Sequence, residues 1–410
     1  MVCSFIWVQG QKALRLILFK RWLFMKCSKQ ILIIISILLF TSCSVFDNKS
    51  NTQQVDNVEL SSVNEAYDGI DELMGKDLGV IKLPDSINAQ DTSDVYTFSA
   101  RIHQPVAAEE NKEYAINLYS DFFGNSFDKN KCGFDDLQYY YLYTEDGKEL
   151  ARYADGMISL VKNDYEISDD SVIQKRYNAD STEQIKIGND ICSISDISGY
   201  AKSFLDAELP DLYDGFTIEP YDVFTRKNLD TDIALINCTQ NYHGIPFEDY
   251  PTNYSVISKD NSGNDLITSY YATDIRMTMN AKNSIAWVHI DNPVEITQTE
   301  KLDKMISLKS AIEILQNELS SLSKYNFDEI KLMYCSKQTY INYDYSQMTL
   351  EEQLEKSKEL NNTEYEFYPT WCFISNNELS GYSRWIVKLN AITGEITIDA
   401  PDGVAGQKGS

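Results

Sequence analysis

The sequence predicts an α+β fold in which antiparallel sheets are each packed by an amphipathic helix. Residues 94–102 alternate apolar and polar side chains, which is typical of a half-buried strand. Segments 194–209 and 308–322 instead repeat apolar residues at helical spacing. Several strand-like runs follow each helical segment, and this order favours helices that cover sheets. The abundant aromatic residues, 12% of the chain, also favour β-structure.

An apolar run near the start of the chain predicts the cellular location of the protein. Residues 31–40 are too few to span a bilayer, which takes about 20 apolar residues, and they fit the core of a signal peptide. The run ends at Leu-Phe-Thr-Ser-Cys43, which resembles a bacterial lipobox. The resemblance implies a signal peptide over 1–42, with Met25 as its true start, and lipidation of Cys43. A plain secretory peptide and an uncleaved signal anchor are the alternatives.

Lipidation of Cys43 would place the chain on a membrane. Two or more acyl chains, palmitate among them, anchor a protein stably, whereas one chain binds only marginally. Residues 43–60 are polar after the cysteine and poor in aromatics, so we expect a flexible tether. The predicted location is therefore the extracytoplasmic face of the cell membrane, with the lipid as the membrane contact.

The charge balance excludes one class of partner. The chain holds 62 acidic and 36 basic residues, a formal net charge of −26. Such a surface repels nucleic acid, and no basic patch interleaved with aromatics offsets it. Solubility alone accounts for this acidity, but a cationic partner such as a basic peptide or calcium is also compatible with it.

The order of strand-like and helix-like segments divides the chain after the tether into three regions. We expect a β-rich N-terminal domain over 61–185 and a helix-on-sheet domain over 186–300. A second helix-on-sheet domain over 301–400 contains an insertion at 341–366, whose Thr-Leu-Glu-Glu sequence predicts a capping box and a charged helix. The tail 401–410 is expected to be disordered.

Two hairpin motifs carry a family resemblance. The stretch PTWCFISNNELSGYSRWIVKLNAITGEI resembles the end of a PepSY-like domain, and CTQNYHGIPFED is similar to a hairpin of secreted metalloprotease propeptides. The residues that match these motifs are Gln240, Tyr242, Gly244, Ile245, Pro246, Trp371, Asn390, Ala391, Thr393, Gly394 and Glu395. The resemblance implies PepSY-like units in the C-terminal two-thirds of the chain. These motif residues have structural explanations, in turns and in the core, and none is predicted to be catalytic.

The resemblance also implies a non-enzymatic role. Related domains restrain secreted proteases or tune the sensor kinases of Gram-positive cell walls, so we expect a binding or regulatory module with a protein or peptide partner. A lipid-anchored hydrolase of wall polymer or peptide is one alternative, and a substrate-binding lipoprotein is another. Converging carboxylates of raised pKa in a cleft would favour the enzyme, and an open sheet edge would favour a protein partner.

The sequence offers little recognisable catalytic chemistry. Its three histidines, His103, His243 and His289, form no HExxH motif, so no metal or cofactor is predicted. Nor is there a G-x-S-x-G elbow or a phosphate-binding glycine loop. Five cysteines follow Cys43, an odd number with no CxxC spacing, so a structural zinc site is not expected. Cys335 and Cys372 are expected to be buried free thiols, and their pairing across neighbouring strands is the alternative.

Overall fold

A computed structural model describes most of the chain after residue 58. The described residues are 59–102, 108–124, 127–134, 140–154, 157–165, 172–208, 216–228, 231–248, 255–259, 265–271, 273–291, 293–319, 324–342, 348–361, 363–376 and 384–399. The predicted signal peptide, Cys43 and the predicted disordered tail lie outside these residues. The described residues all belong to one unit, Gln53–Ser410.

Strands dominate the structure from its first residues onward. The first half contains β1 (Ser61–Ser62), β2 (Ile81–Lys82), β3 (Tyr96–Ile102), β4 (Gly133–Phe134), β5 (Tyr140–Tyr143), β6 (Glu149–Ala154), β7 (Met157–Val161), β8 (Val172–Asn178), β9 (Gln184–Ile187), β10 (Asp190–Ser193), β11 (Thr217–Asn228) and β12 (Thr231–Tyr242). The second half contains β13 (Ile245–Pro246), β14 (Ser255–Lys259), β15 (Asp265–Tyr271), β16 (Asp274–Ala281), β17 (Ser284–Asp291), β18 (Val294–Lys301), β19 (Lys304–Met305), β20 (Tyr325–Asn326), β21 (Glu329–Asn342), β22 (Tyr365–Asn376), β23 (Arg384–Asn390) and β24 (Ile396–Asp399).

Side-chain caps begin two of the helices that the structure describes. The helices are α1 (Ala108–Phe123), α2 (Ile194–Glu208), α3 (Leu308–Glu318) and α4 (Leu350–Asn361). The hydroxyl of Ser307 accepts a hydrogen bond from the backbone N–H of Ser310, which caps α3. Thr349 and Glu352 form the predicted capping box of α4 through reciprocal side-chain to backbone bonds.

The larger sheet has ten strands in the order β4-β5-β6-β7-β17-β16-β12-β11-β8, with β13 beside β12. Its strands alternate buried and partly exposed residues, as β7 does over Met157–Val161. Apolar residues of α1 and α2 pack with the buried residues of these strands in one hydrophobic core. The two helices therefore cover one face of the ten-stranded sheet.

The second sheet has eight strands and a branched topology. Its main path is β14-β15-β21-β22-β23-β24, and β3 pairs with both β22 and β18. Apolar residues of α3 pack on one face of this sheet. Apolar residues between positions 63 and 83 join them in the same core. Buried Trp371 on β22 anchors this core, because its indole N–H donates to the backbone carbonyl of Ile306 at 2.8 Å.

The predicted α+β fold of PepSY-like helix-on-sheet units is wrong. Strands account for 50% of the structure and helices for 19%, and the strands form two large, mostly antiparallel sheets. Sheet pairing crosses the predicted region boundaries, since β7 pairs with β17 and β15 pairs with β21. The physical reason is that periodicity shows which face of a strand is buried but does not specify its pairing partner.

Among residues that the structure describes, no helix combines the length and apolar character that crossing a bilayer requires.

Candidate functional site

A groove lies where the eight-stranded sheet divides. Along one edge of β22, residues 365–367 pair with β3, and residues 370–376 pair with β23. Pro369 stands between the two segments, and its carbonyl accepts a hydrogen bond from the N–H of Ala391. Proline has no N–H to donate, so it fits the point at which one strand pairing ends and another begins. We call the space between the diverging strands the fork groove.

The fork groove encloses about 610 Å³, within the usual range for ligand pockets. Its lining comes from residues 97–99 of β3, residues 298–300 of β18, residues 366–368 of β22, and Asn390, Ile392 and Thr393 in the turn after β23. Three neighbouring strands therefore contribute to one site together with a turn.

The strand register places polar side chains in rows across the groove. Ser99 lies directly opposite Gln298 on one side and Glu366 on the other. Thr97 lies opposite Glu300 in the next row on the same face. Hydroxyl, amide and carboxylate groups thus share the outer face of the sheet, where each can hydrogen-bond a ligand.

The opposite face beneath these rows is packed with aromatic rings. Phe98 stacks on Phe367 with ring centroids 5.1 Å apart, and both side chains are buried. Phe247 and Tyr334 contact Phe98 from further along the same core. This packing fixes β3 against β22, so the polar rows above it are held on a rigid surface.

Two of the C-terminal motif residues, Asn390 and Thr393, line the groove. The Asn390 side-chain oxygen accepts hydrogen bonds from the backbone N–H groups of Ile392 and Thr393, at 2.9 and 3.1 Å. The Thr393 hydroxyl accepts a hydrogen bond from the N–H of Glu395 at 3.3 Å, and Gly394 adopts φ of +73°. Asn390 and Thr393 therefore shape the turn and also line the fork groove.

The residues of the other motif, CTQNYHGIPFED, lie outside the groove. Buried Gln240 binds the backbone of Val294, and Pro246 lies on β13, opposite Asn241. Tyr242 packs edge-on against Tyr96, and Gly244 adopts φ of +79° in the turn after β12. These four residues and Trp371 hold the fold, and the structure does not bring them to the fork groove.

Sequence reasoning missed the acidic residues of the groove. Both Glu300 and Glu366 line it, and none of the lining residues that the structure describes is basic. The usable signal was the alternation in 94–102, whose polar positions include Thr97 and Ser99. That alternation indicated which residues of β3 face outward. It did not indicate which strands lie beside β3.

The other candidate metal ligands were the histidines, the cysteines and the acidic residues. In the described ranges, no cluster of three or more His, Cys, Asp or Glu residues has the geometry to hold a metal ion. His243 lies in its hairpin turn, and His289 stacks on Trp287 in the ten-stranded sheet. Cys335 and Cys372 are buried free thiols whose sulfur atoms are 3.9 Å apart.

Comparison with known proteins adds a distant structural likeness. No family model matches the chain, and no curated protein matches it. The chain is similar to the crystal structure of an uncharacterized protein from Eubacterium rectale ATCC 33656, with 13% sequence identity and a TM-score of 0.49. The similarity covers 78% of this chain and 90% of that chain.

Proposed function

We propose that this protein is a lipid-anchored, extracytoplasmic binding protein whose fork groove takes an extended basic segment of a protein partner. The observation that carries the proposal is the groove itself. It joins two carboxylates, Glu300 and Glu366, to rows of hydroxyl and amide groups, and its described lining contains no basic side chain. The anchor part of the proposal rests on the lipobox-like sequence that ends at Cys43.

Charge and shape favour a cationic, extended ligand. Lysine and arginine side chains donate charge-assisted hydrogen bonds to carboxylates, and the net charge of −26 attracts a basic partner from a distance. Side chains of an extended peptide alternate at the same spacing as the polar rows of the groove. Tyr368 and Ile392, both half-buried, add a small apolar contact.

One strand beside the groove is open to further pairing. Within the described residues, β18 pairs only with β3, so its outer edge lacks a neighbouring strand. Its residues 297–301 are exposed. Extended peptides bind such edges through backbone hydrogen bonds, while pockets beside the edge select side chains. An open edge next to an acidic groove supports a peptide partner.

One buried carboxyl of raised pKa lies outside the fork groove. Burial raises the pKa of Asp222 to about 6, but this residue lies on β11 of the ten-stranded sheet, in an ion pair with Arg176. Asp222 therefore supplies no carboxyl of raised pKa to the fork groove.

Peptide binding tests the groove directly. The full chain, solubilised in mild detergent, is titrated into a labelled peptide that alternates lysine and threonine, and fluorescence anisotropy is followed. We expect saturable binding that weakens with salt, and a loss of about tenfold or more in the double variant Glu300→Gln, Glu366→Gln.

A matched control separates the groove from bulk charge. The double variant Glu313→Gln, Glu318→Gln removes the same charge from the exposed face of α3. It should bind the basic peptide like the wild type. Equal losses in both double variants, or equal binding of a peptide that alternates glutamate and threonine, would contradict the proposed site.

The anchor has its own experiment. Cells that express wild-type protein or Cys43→Ser are grown with labelled palmitate and then fractionated. We expect label and membrane association in the wild type and neither in the variant. Unchanged membrane partitioning of Cys43→Ser would exclude the lipid anchor, whatever the groove binds.

A further inference from the structure

The two carboxylates of the fork groove lie on a diagonal of the sheet. Glu366 on β22 shares a row with Ser99 and Gln298, whereas Glu300 on β18 shares the next row with Thr97. Because β3 lies between β18 and β22, the two glutamates are separated across the strands by two strand spacings, about 10 Å. They are also offset along the strands by two residues, about 7 Å. Their Cα atoms are therefore about 12 Å apart.

Both carboxylates are available to a ligand. Glu300 and Glu366 are exposed, and neither forms an ion pair with another residue that the structure describes. Arg101 and Lys301, the basic residues of β3 and β18, are each paired with a different acid. β22 has no basic residue. Two negative charges thus remain at a separation that the strand pairing defines.

This separation matches one spacing of residues in an extended peptide. Residues four positions apart lie about 13 Å apart, with their side chains on the same face. Residues two positions apart also share a face, but they are only about 7 Å apart, and residues three positions apart point to opposite faces. The half-buried hydroxyls of Thr97 and Ser99 lie between the two glutamates, where they can hydrogen-bond the intervening part of the peptide.

We propose that the fork groove selects an extended segment in which two basic residues are four positions apart, one bound by Glu300 and the other by Glu366. This inference rests on the proposed function, because it specifies which basic segment the groove takes. Such a segment crosses β3 obliquely. The stacked rings of Phe98 and Phe367 on the opposite face hold β3 against β22 and so help to fix the distance between the charges.

Competition binding tests the spacing. The full chain in mild detergent is saturated with the labelled peptide that alternates lysine and threonine, and unlabelled competitors are added at low salt. Three competitors have the same composition, serine and threonine with two lysines, and the lysines are two, three or four positions apart. We expect the four-position peptide to bind about fivefold more tightly than the other two, because it alone reaches both exposed carboxylates. Their equal charge excludes bulk attraction as the cause of a preference.

Single variants locate the two contacts. Glu300→Gln and Glu366→Gln should each remove the preference for the four-position peptide, since one carboxylate then remains. Glu313→Gln removes one charge from the exposed face of α3 and should keep the preference.

Three results would overturn the inference while leaving the groove as a peptide site. They are equal binding of all three competitors, a preference that survives Glu366→Gln, and a preference for the two-position peptide, which would indicate a segment that runs along the edge of β18. Failure of the alternating peptide to bind would contradict the proposed function itself, and this inference with it.

Discussion

The side chain of Gln240 holds the backbone of Val294 through two hydrogen bonds. Its amide donates to the Val294 carbonyl at 3.3 Å, and its oxygen accepts from the Val294 N–H at 3.1 Å. Gln240 lies on β12 of the ten-stranded sheet, and Val294 begins β18 of the eight-stranded sheet. Both residues are fully buried, so this contact links the two sheets where water cannot replace it.

Gln240→Ala should therefore destabilise the fold by about 1–3 kcal/mol, because it leaves both backbone groups of Val294 buried without their partner. Denaturant unfolding of the full chain measures the change. Gln184→Ala, at an exposed position of β9, is the control and should change stability by less than about 0.5 kcal/mol. Equal stability of the two variants would contradict the proposed link.

Gly244→Ala tests the turn after β12. Gly244 adopts φ of +79°, and no atom of the described residues lies within 4 Å of the position that a Cβ would take. An alanine there therefore meets backbone strain and no clash, and we expect a loss of about 1–2 kcal/mol. Gly133→Ala has equally open surroundings without a positive φ, and it should change the unfolding free energy little. A comparable loss in both variants would show that strain is not the cause.

The buried pair of Lys388 and Glu248 tests the cost of an uncompensated charge. Their side chains are 3% and 1% exposed. Lys388→Met should cost about 3–5 kcal/mol, because it leaves the Glu248 carboxylate buried without its cation. The double variant Lys388→Met, Glu248→Leu should recover much of that loss. A double-mutant cycle by denaturant unfolding measures this coupling, and additive losses would argue against the pair.

Asp222 should make stability depend on pH. Folding raises the pKa of this carboxyl from 3.8 to about 6, because burial outweighs the attraction of Arg176. The folded chain therefore binds this proton more tightly than the unfolded chain. The resulting stabilisation is complete below about pH 4 and is lost as the pH rises through about 6, by up to about 3 kcal/mol.

The measurement compares Asp222→Asn, which cannot titrate, with the wild type across this range. The stability of the wild type relative to the variant should fall as the pH rises from about 4 to 7. A difference that grows with pH for Asp222→Asn would mean that Arg176 outweighs burial.

Local patterns predicted α2, α3 and α4. The caps at Ser307 and Thr349 and the apolar stripe of α3 depend on residues a few positions apart, so they are visible in the chain itself. Alternation in 94–102 likewise identified β3 and its outward residues. The same local signals led to the wrong fold class, because a helix followed by strands is compatible with several sheet arrangements.

The candidate site depends on residues that are distant in sequence. Ser99 lies opposite Gln298 and Glu366 in the fork groove. These residues form no motif that a linear pattern could reveal. The register of long-range strand pairs places them together.

The sequence by itself determined the acidic balance, the helix caps, the turn residues and the outward faces of individual strands, since each follows from composition or from contacts between near neighbours. Only the tertiary structure decided which strands pair, where the sheet divides at Pro369, and which polar residues share a surface. Strand pairing uses backbone groups that all residues share, so the choice of partner arises from packing of the whole chain.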